Sequence, residues 1–242
     1  MADLVEHYEN HLSDSYSWLY GGLEFGVSEN LSFFETHSLI PCGSRIAVDL
    51  GCGSGFQSIP LAQLGYSVIA LDQSEKLLNE LRNNLQGLQI KTIAGDLINF
   101  RSYCPDQVEL CVCMGDTLTH LDSLKKIQTL FSDVYDSLEN SGRFVLTFRD
   151  LTSELKHLDR FIPVRSDDSK IFTCFLEYQE ETVKVHDLIY EKIGDKWSLK
   201  KSFYYKLRIS VDWVQDTLKQ VGFSLDLFKS ERGLVTILAS KK

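Results

Sequence analysis

The sequence contains no hydrophobic segment long enough to cross a membrane. No apolar run approaches the roughly 20 residues that a bilayer span needs. The first ten residues, MADLVEHYEN, are acidic and polar and do not look like a secretory signal. These absences argue against a membrane or secreted protein, and we expect a cytoplasmic one.

Patterns typical of metal sites are missing as well. The six cysteines form no C-x-x-C pair and no Cys/His group with zinc spacing, so we expect free thiols and no metal. Cys111 and Cys113 lie two residues apart in an apolar run, which places both on one face of a strand, and we predict that they are core residues. No Ser/His/Asp or Cys/His pattern supports a hydrolase.

Positive charge is scarce. The chain has 25 Lys and Arg against 34 Asp and Glu, a net charge of −9, and no basic block. Because phosphate binding needs a basic surface, nucleic acid is not expected as a partner. The hydrophobic content of 43% over 242 residues is that of an ordinary globular protein with a large core. We therefore expect one globular domain.

What the sequence does contain is a regular alternation of strands and helices. Amphipathic patterns predict helices over Phe56–Leu64, after Ser74, and from Ser123 to near Gly142. Between them lie five short apolar strands: Arg45–Leu50, Tyr66–Leu71, Ile90–Ala94, Val108–Met114 and Arg143–Phe148. Such alternation indicates an α/β fold with right-handed crossovers and a parallel sheet.

The C-terminal part follows a different pattern. Ile171–Gln179, Thr182–Lys192 and Trp197–Leu207 read as long strands of an antiparallel meander, the last two joined at Gly194–Asp195. Ser210 then caps a last helix, which a final strand pair follows (Phe223–Phe228 and Leu234–Ser240). We predict a single domain, 1–242, composed of a helical lid (1–40), a ligand-binding core (41–150), an antiparallel cap (151–209), and a last helix with a strand pair (210–242).

A glycine-rich turn, Gly51–Gly55, connects the first strand to a helix. Such a loop can hold a pyrophosphate or the amino-acid end of S-adenosylmethionine (SAM). A dinucleotide site favours G-x-G-x-x-G/A, whereas this loop has G-x-G-x-G followed by Phe56. Asp49 would repel a phosphate but suits an ammonium group, so SAM is favoured. Asp72, at the end of the second strand, could bind a ribose in either class.

The stretch VDLGCGSGFQSIPLAQLGYSVIALDQS (48–74) resembles the opening of class I SAM-dependent methyltransferases. Gly95-Asp96-Leu97 resembles the turn of that family that contacts adenine, and Met114-Gly115-Asp116 resembles its segment between cofactor and acceptor. The resemblance implies a Rossmann-like, mostly parallel sheet with an antiparallel last strand, and an antiparallel meander cap inserted before the last helix.

Within that family the chain looks most like small-molecule N-methyltransferases of the glycine N-methyltransferase type. The segment CMGDTLTHL (113–121), Arg149 after the fifth strand, the aromatic stretch 202–205, and the separation of Tyr8 from Tyr20 carry this likeness. Asp116 departs from it, because the glycine-specific enzyme has a neutral amide there. The identity of the acceptor therefore stays open.

The resemblance assigns roles to individual residues. The expected catalytic residues are His120 and Asp116, and the expected substrate-binding residues are Arg149, Tyr16, Tyr204 and Tyr205. The expected cofactor-binding residues are Tyr8, Trp18, Tyr20, Asp49, Gly51, Cys52, Gly53, Gly55, Asp72, Gln73, Asp96, Leu97, Met114 and Gly115. No residue is assigned to a metal.

The expected function is methyl transfer from SAM, with S-adenosylhomocysteine as product, to a small molecule, in first place to an amine nitrogen. Three alternatives remain: a small-molecule O-methyltransferase, a nucleotide-dependent oxidoreductase, and a non-catalytic SAM-binding or scaffold protein. If the protein assembles, we expect a homodimer.

Overall fold

A computed structural model describes residues 4–231 and 233–242. The N-terminal segment contains α1 (Leu4–His7), a π-helical turn (Tyr8–Leu12), α2 (Ser13–Leu19) and α3 (Leu23–Thr36). The alternating region follows, with β1 (Ile46–Leu50), α4 (Ser58–Gln63), β2 (Ser67–Asp72), α5 (Glu75–Asn83), β3 (Ile90–Ala94), β4 (Val108–Cys113), α6 (Leu124–Ser137) and β5 (Leu138–Arg149). Short 3-10 helices cover Leu97–Ser102, Thr117–His120 and His157–Arg160.

The rest of the chain is mainly antiparallel. It consists of β6 (Phe161–Ser166), β7 (Lys170–Tyr178), β8 (Thr182–Ile193), β9 (Lys196–Leu207), α7 (Val211–Val221), β10 (Phe223–Glu231) and β11 (Leu234–Lys241). Strands β6 to β9 form a four-stranded sheet in sequential order, which we call the cap sheet. It is inserted between β5 and α7, where the meander was predicted.

Seven strands form the main sheet, in the order β10-β11-β5-β4-β1-β2-β3. The pairs from β3 through β5 are parallel, and β11 is antiparallel to both β5 and β10. This arrangement confirms the predicted fold class. Because parallel strands share a direction, β1, β2, β4 and β5 end at one edge of the sheet, where open α/β sheets bind their ligands.

A hydrophobic core lies on each face of the main sheet. One contains Phe131 and Phe144; the other contains Phe34, Leu78 and Leu81. Both sides of β4 are therefore covered, which explains why all six of its residues are buried. All six cysteines lie among the described residues and are free thiols, and Cys111 and Cys113 belong to the core as predicted.

Several boundaries differ from the sequence prediction, most of them by one to three residues. Helix α4 begins at Ser58 rather than Phe56, because turns continue after the glycine loop. Helix α6 ends at Ser137, and β5 begins at Leu138 rather than Arg143, because Leu138 already pairs with Val108 of β4. The cap sheet has four strands rather than three. The additional β6 is an edge strand with a register shift beside Pro163, a residue that cannot donate to a strand ladder.

The N-terminal segment contacts both sheets. His7 lies 2.9 Å from Ser202 Oγ of β9, whereas Glu9 accepts hydrogen bonds from Ser74 Oγ and from the Lys76 N–H at the start of α5. The segment thus lies across the edge where the strands of the main sheet end. The division of the chain into lid, core and cap stays a prediction. In the described part of the chain, no helix is both long and apolar enough for a membrane span.

Candidate functional site

The glycine loop after β1 has a backbone that only glycine adopts easily. Gly51, Gly53 and Gly55 have φ angles of +77°, +50° and +91°. A Cβ on Gly51 would lie 2.4 Å from Thr117 Cγ2, and one on Gly55 would lie 2.4 Å from Leu81 Cδ1. Close packing therefore also requires glycine at two of the three positions. At Gly51 the close contact is with the loop that follows β4.

Asp72 connects this loop to the next one. One carboxylate oxygen accepts the Gly53 N–H at 2.8 Å, and the other accepts the Ser74 N–H at 2.8 Å. Burial raises the pKa of Asp72 in spite of these hydrogen bonds, and the nearby charge of Glu9 raises it further. The side chain also borders the first cavity described below.

Asp49 lies beneath the glycine loop. It is 1% exposed and accepts a hydrogen bond from the Ser58 hydroxyl at 2.6 Å. Burial raises the pKa of Asp49 to about 7, since no cation among the described residues lies against it to favour the charged form. Asp49 lines neither of the two cavities described below, and Cys52 is buried beside it. An ammonium group on the loop would therefore interact with Asp49 from the far side of the backbone.

A first cavity, which we call the carboxyl-edge cavity, lies where β1, β2 and β3 end. Its volume is about 680 Å³, including its opening. Six of the predicted cofactor residues border it: Tyr8, Gly51, Asp72, Gln73, Asp96 and Leu97, with the substrate candidate Tyr16 beside them. Asp96 also accepts the Ile98 N–H at 3.0 Å, which fixes the turn after β3.

A second cavity, which we call the cap cavity, lies between the cap sheet and the ends of β4 and β5. It is larger, about 1420 Å³. The predicted residues on its wall are Tyr8, Tyr16, Tyr20, Met114, Asp116, His120, Arg149 and Tyr204. Both cavities are lined by Tyr8, Tyr16, Thr117 and His120. The two cavities are therefore neighbours separated by these four side chains.

A charged cluster occupies one wall of the cap cavity. Asp116 Oδ2 lies 2.6 Å from Lys206 Nζ and 3.4 Å from Arg149 Nε, and Oδ1 accepts the Arg149 N–H. Burial alone would raise the pKa of Asp116, but Lys206 and Arg149 hold it below its usual value. The cluster has one negative and two positive side chains. Its local charge is therefore positive.

His120 lies at the junction of the two cavities. Its Nε2 is 3.3 Å from the Tyr8 hydroxyl, and its ring contacts Tyr204. Burial lowers the pKa of His120 to about 3, helped by the charge of Lys206, so the imidazole is neutral near pH 7. Burial also raises the pKa of Tyr8, Tyr16 and Tyr204, which remain protonated phenols. A neutral imidazole with so low a pKa is a weak base.

Tyr16 covers the middle of the glycine loop. A Cβ on Gly53 would lie 3.0 Å from Tyr16 Cε1, and the Tyr16 ring stacks on Phe56. Gly53 thus faces an aromatic side chain, whereas Gly51 borders the open carboxyl-edge cavity. Tyr20 packs on the same Phe56 ring.

Several predicted site residues lie outside both cavities. Trp18 donates a hydrogen bond to Asp167 at 2.5 Å, on the outer side of the N-terminal segment. Tyr205 packs against Phe203 on the outer face of the cap sheet, because side chains alternate along β9 and Tyr204 takes the inward position. Gly115 does not line a cavity but donates its N–H to Thr147 Oγ1 at 2.6 Å, which fixes the turn before Asp116.

Several polar residues of the site were not predicted, among them Thr117, Lys206, Asp187 and Glu9. Lys206 and Asp187 line the cap cavity, and Glu9 connects the N-terminal segment to α5. The alternation in β9 could have identified Lys206, since it shares the inward face with Tyr204. Within residues 4–231 and 233–242, no group of three or more His, Cys, Asp and Glu side chains is arranged to hold a metal ion.

Comparison with known proteins agrees with this geometry. Residues 47–142 match a family model described as a methyltransferase domain. The chain is 27% identical over 150 residues to glycine/sarcosine N-methyltransferase of Aphanothece halophytica, a match over 60% of this chain and 56% of the relative. The chain thus matches about half the length of that relative.

Solved structures have the same fold over nearly the whole chain. The CcbJ methyltransferase of Streptomyces caelestis superposes with a TM-score of 0.77 at 15% identity, over 97% of this chain and 98% of that one. SAM-bound CalS10, an amino pentose methyltransferase of Micromonospora echinaspora, superposes with a TM-score of 0.74 at 12% identity, over 96% and 97%. Residues 47–142 thus match a methyltransferase domain, and the chain as a whole has the fold of solved SAM-dependent methyltransferases, as the sequence motifs predicted.

Proposed function

We propose that this protein transfers the methyl group of SAM to an amine nitrogen of a small molecule. One observation carries the proposal: the carboxyl-edge cavity and the cap cavity share Tyr8, Tyr16, Thr117 and His120. A cofactor in the first cavity and an acceptor in the second would meet at these side chains. Methyl transfer needs this arrangement, because donor and acceptor must lie in line.

The residues of the carboxyl-edge cavity fit SAM. Its ribose would be held by Asp72, its adenine by the turn at Asp96 and Leu97, and its amino-acid end at Gly51, which borders the cavity. SAM supplies an electrophilic methyl group when bound. The protonated phenols Tyr8 and Tyr16 would border the sulfonium, and an aromatic face near a cation contributes about 0.5–2 kcal/mol.

The chain's own residues contribute orientation. Rigid alignment of two reactants can contribute roughly 7–11 kcal/mol to lowering a barrier. Tyr8 and His120 hold each other by their hydrogen bond, and Tyr204 packs against His120. These three side chains belong to three different elements of secondary structure. It can therefore fix the position of an acceptor relative to the carboxyl-edge cavity.

The charges favour nitrogen over oxygen as the acceptor atom. The positive cluster of Asp116, Lys206 and Arg149 disfavours a protonated amine, so an amine would be held with its lone pair free. A hydroxyl would instead need a base to remove its proton, and His120, with its pKa lowered to about 3, is a poor one. The glycine/sarcosine N-methyltransferase and the amino pentose methyltransferase among the similar proteins are consistent with this choice.

The acceptor is larger than glycine in this proposal. The cap cavity of about 1420 Å³ is lined mainly by apolar and aromatic side chains. Arg149, the candidate for binding a substrate carboxylate, is already paired with Asp116 and is half exposed. An acceptor with an apolar body and an amine near His120 fits this cavity better than a free amino acid.

A product assay tests the proposal. The protein is incubated with SAM and a panel of primary and secondary amines, alongside alcohols of the same carbon skeleton, and methylated products are identified by mass spectrometry. We expect N-methylated products together with S-adenosylhomocysteine. Methylation of the alcohols alone would favour an O-methyltransferase. Saturation by NADH instead of SAM would favour an oxidoreductase, and SAM binding without any methylated product would favour a scaffold role.

A further inference from the structure

A buried carboxylate in the cap cavity has no part in the site described so far. Asp187 lies on the inward face of β8, is 1% exposed, and lines the cavity. Cys174 Sγ lies 3.1 Å from Asp187 Oδ1, and His7 Nε2 lies 3.1 Å from Oδ2. His7 is held in turn by Ser202. The carboxylate is thus fixed in place by groups from the N-terminal segment and from two strands.

The contact with His7 does not satisfy this carboxylate. Although the two atoms are close, they are misaligned: Asp187 Oδ2 and His7 Nε2 are both buried and, within the described residues, have no hydrogen-bond partner. A buried polar atom without a partner is unfavourable, so a ligand that donates to it is bound with a large gain. The strong cations of the same cavity, Lys206 and Arg149, contact Asp116 instead.

Asp187 and the junction with the carboxyl-edge cavity are close to each other. The Tyr204 ring contacts His7, with centroids 4.5 Å apart, and also contacts His120, with centroids 5.4 Å apart. One aromatic side chain therefore lies next to both ends of the space that an acceptor would occupy. A short molecule can reach from His120 to Asp187.

We propose that Asp187 forms a specificity-determining subsite for a second polar group of the acceptor, an ammonium or a hydroxyl that donates a hydrogen bond. This inference rests on the proposed function, and it narrows the acceptor to a bifunctional amine. One end presents the reacting nitrogen beside the positive cluster at Asp116, and the other end donates to Asp187. The acceptor is then recognised by opposite charges at the two ends of the cavity.

Binding, rather than turnover, tests the subsite. Putrescine and cadaverine, the corresponding amino alcohols, and the matched monoamines butylamine and pentylamine are titrated by calorimetry into the protein saturated with S-adenosylhomocysteine. We expect at least one bifunctional probe to bind about tenfold or more tightly than its monoamine, as a hydrogen bond to a charged group implies. Preference for the diamine or for the amino alcohol distinguishes an ammonium from a hydroxyl.

Three variants complete the experiment. Asp187→Asn is expected to reduce the preference to about one, whereas Asp195→Asn, in the exposed turn of the same sheet, retains it. His7→Leu keeps the carboxylate and removes the donor beside it, so this variant should increase the preference. It therefore tests the subsite even if Asp187→Asn folds poorly. Equal binding of bifunctional and simple amines, or a preference that persists in Asp187→Asn, would overturn the subsite. Binding preference without methylation would contradict only the proposed function.

Discussion

Two aspartates, one on each side of the site, differ in their surroundings and therefore in their charge. Asp49 lies under the glycine loop with a hydroxyl as its side-chain partner, and its pKa is raised to about 7. Asp116 lies on the cap cavity with two cations against it, and its pKa is lowered. The carboxyl-edge side thus lacks positive charge, whereas the cap side already contains an excess of it.

This contrast explains how one site can separate two reactants. A ligand such as SAM brings the positive charge that the carboxyl-edge side lacks. The cap side disfavours a further cation near Asp116 and so favours a neutral amine, the form that can accept a methyl group. Substitutions on one side at a time should therefore have separate effects on the cofactor and on the acceptor.

The largest effect is expected at Gly51. Gly51→Ala introduces a Cβ 2.4 Å from the Thr117 side chain at a positive φ, so the loop must shift. We expect SAM affinity to fall at least about a hundredfold, equivalent to about 3 kcal/mol, measured by calorimetric titration. Gly194→Ala is the matched control, since Gly194 also has a positive φ but no atom near its Cβ position. Equal losses in the two variants would mean that the loop does not hold the cofactor.

A pH-dependent effect on stability is expected at Asp49. Because its pKa is higher in the folded state than in the unfolded state, the folded protein holds the proton longer, and its free energy of unfolding falls as pH rises from about 4 to 7. Between pH 5 and 8 this contributes about 2.5 kcal/mol. Asp49→Asn should remove this contribution in urea unfolding, whereas Asp195→Asn should not. An unchanged pH dependence in Asp49→Asn would contradict the raised pKa.

On the cap side, Lys206→Gln removes one cation beside the acceptor. The bound amine should then hold its proton to higher pH, so the acidic limb of the pH profile of kcat, which reports groups in the bound complex, moves up by about one pH unit, or about 1.4 kcal/mol. SAM affinity should stay within a few-fold. Lys192→Gln, exposed near the tip of the cap sheet, serves as control. A limb that stays in place or moves to lower pH would show that the cluster does not set the charge of the amine.

The smallest effect is expected at Glu9, which connects the N-terminal segment to Ser74 and Lys76 beside the carboxyl-edge cavity. Glu9→Gln weakens two hydrogen bonds by about 1 kcal/mol in total, so SAM should dissociate several-fold faster in a stopped-flow displacement measurement. Glu6→Gln, an exposed change in the same segment, should leave the rate unaltered. Identical dissociation rates of SAM from both variants would show that Glu9 does not slow the release of SAM from this cavity.

The two sides also differ in how far the sequence alone could predict them. The loop at Gly51 and the cap residue Ser74 are local features, in which a few consecutive residues determine the backbone. Most of the expected cofactor residues accordingly border the carboxyl-edge cavity or shape the loops around it. Trp18 is an exception, since nothing local indicates which way a side chain of the N-terminal segment turns.

The cap side depends on contacts between distant residues. Lys206 meets Asp116 across 90 positions of sequence, and His7 meets Ser202 across 195. No local pattern encodes such pairs, and alternation along β9 indicates only which residues face inward. The same reason explains why β6 was missed: a short edge strand interrupted at Pro163 is defined by its partner β7 rather than by its own sequence.

The central claim is that the cofactor lies in the carboxyl-edge cavity with its sulfur at the junction to the cap cavity. A crystal structure with S-adenosylhomocysteine tests it most directly. We expect the ribose at Asp72, the amino-acid end at Gly51, and the sulfur beside the residues shared by both cavities, Tyr8, Tyr16, Thr117 and His120. A ligand bound elsewhere, or a sulfur separated from the cap cavity by protein, would contradict the account.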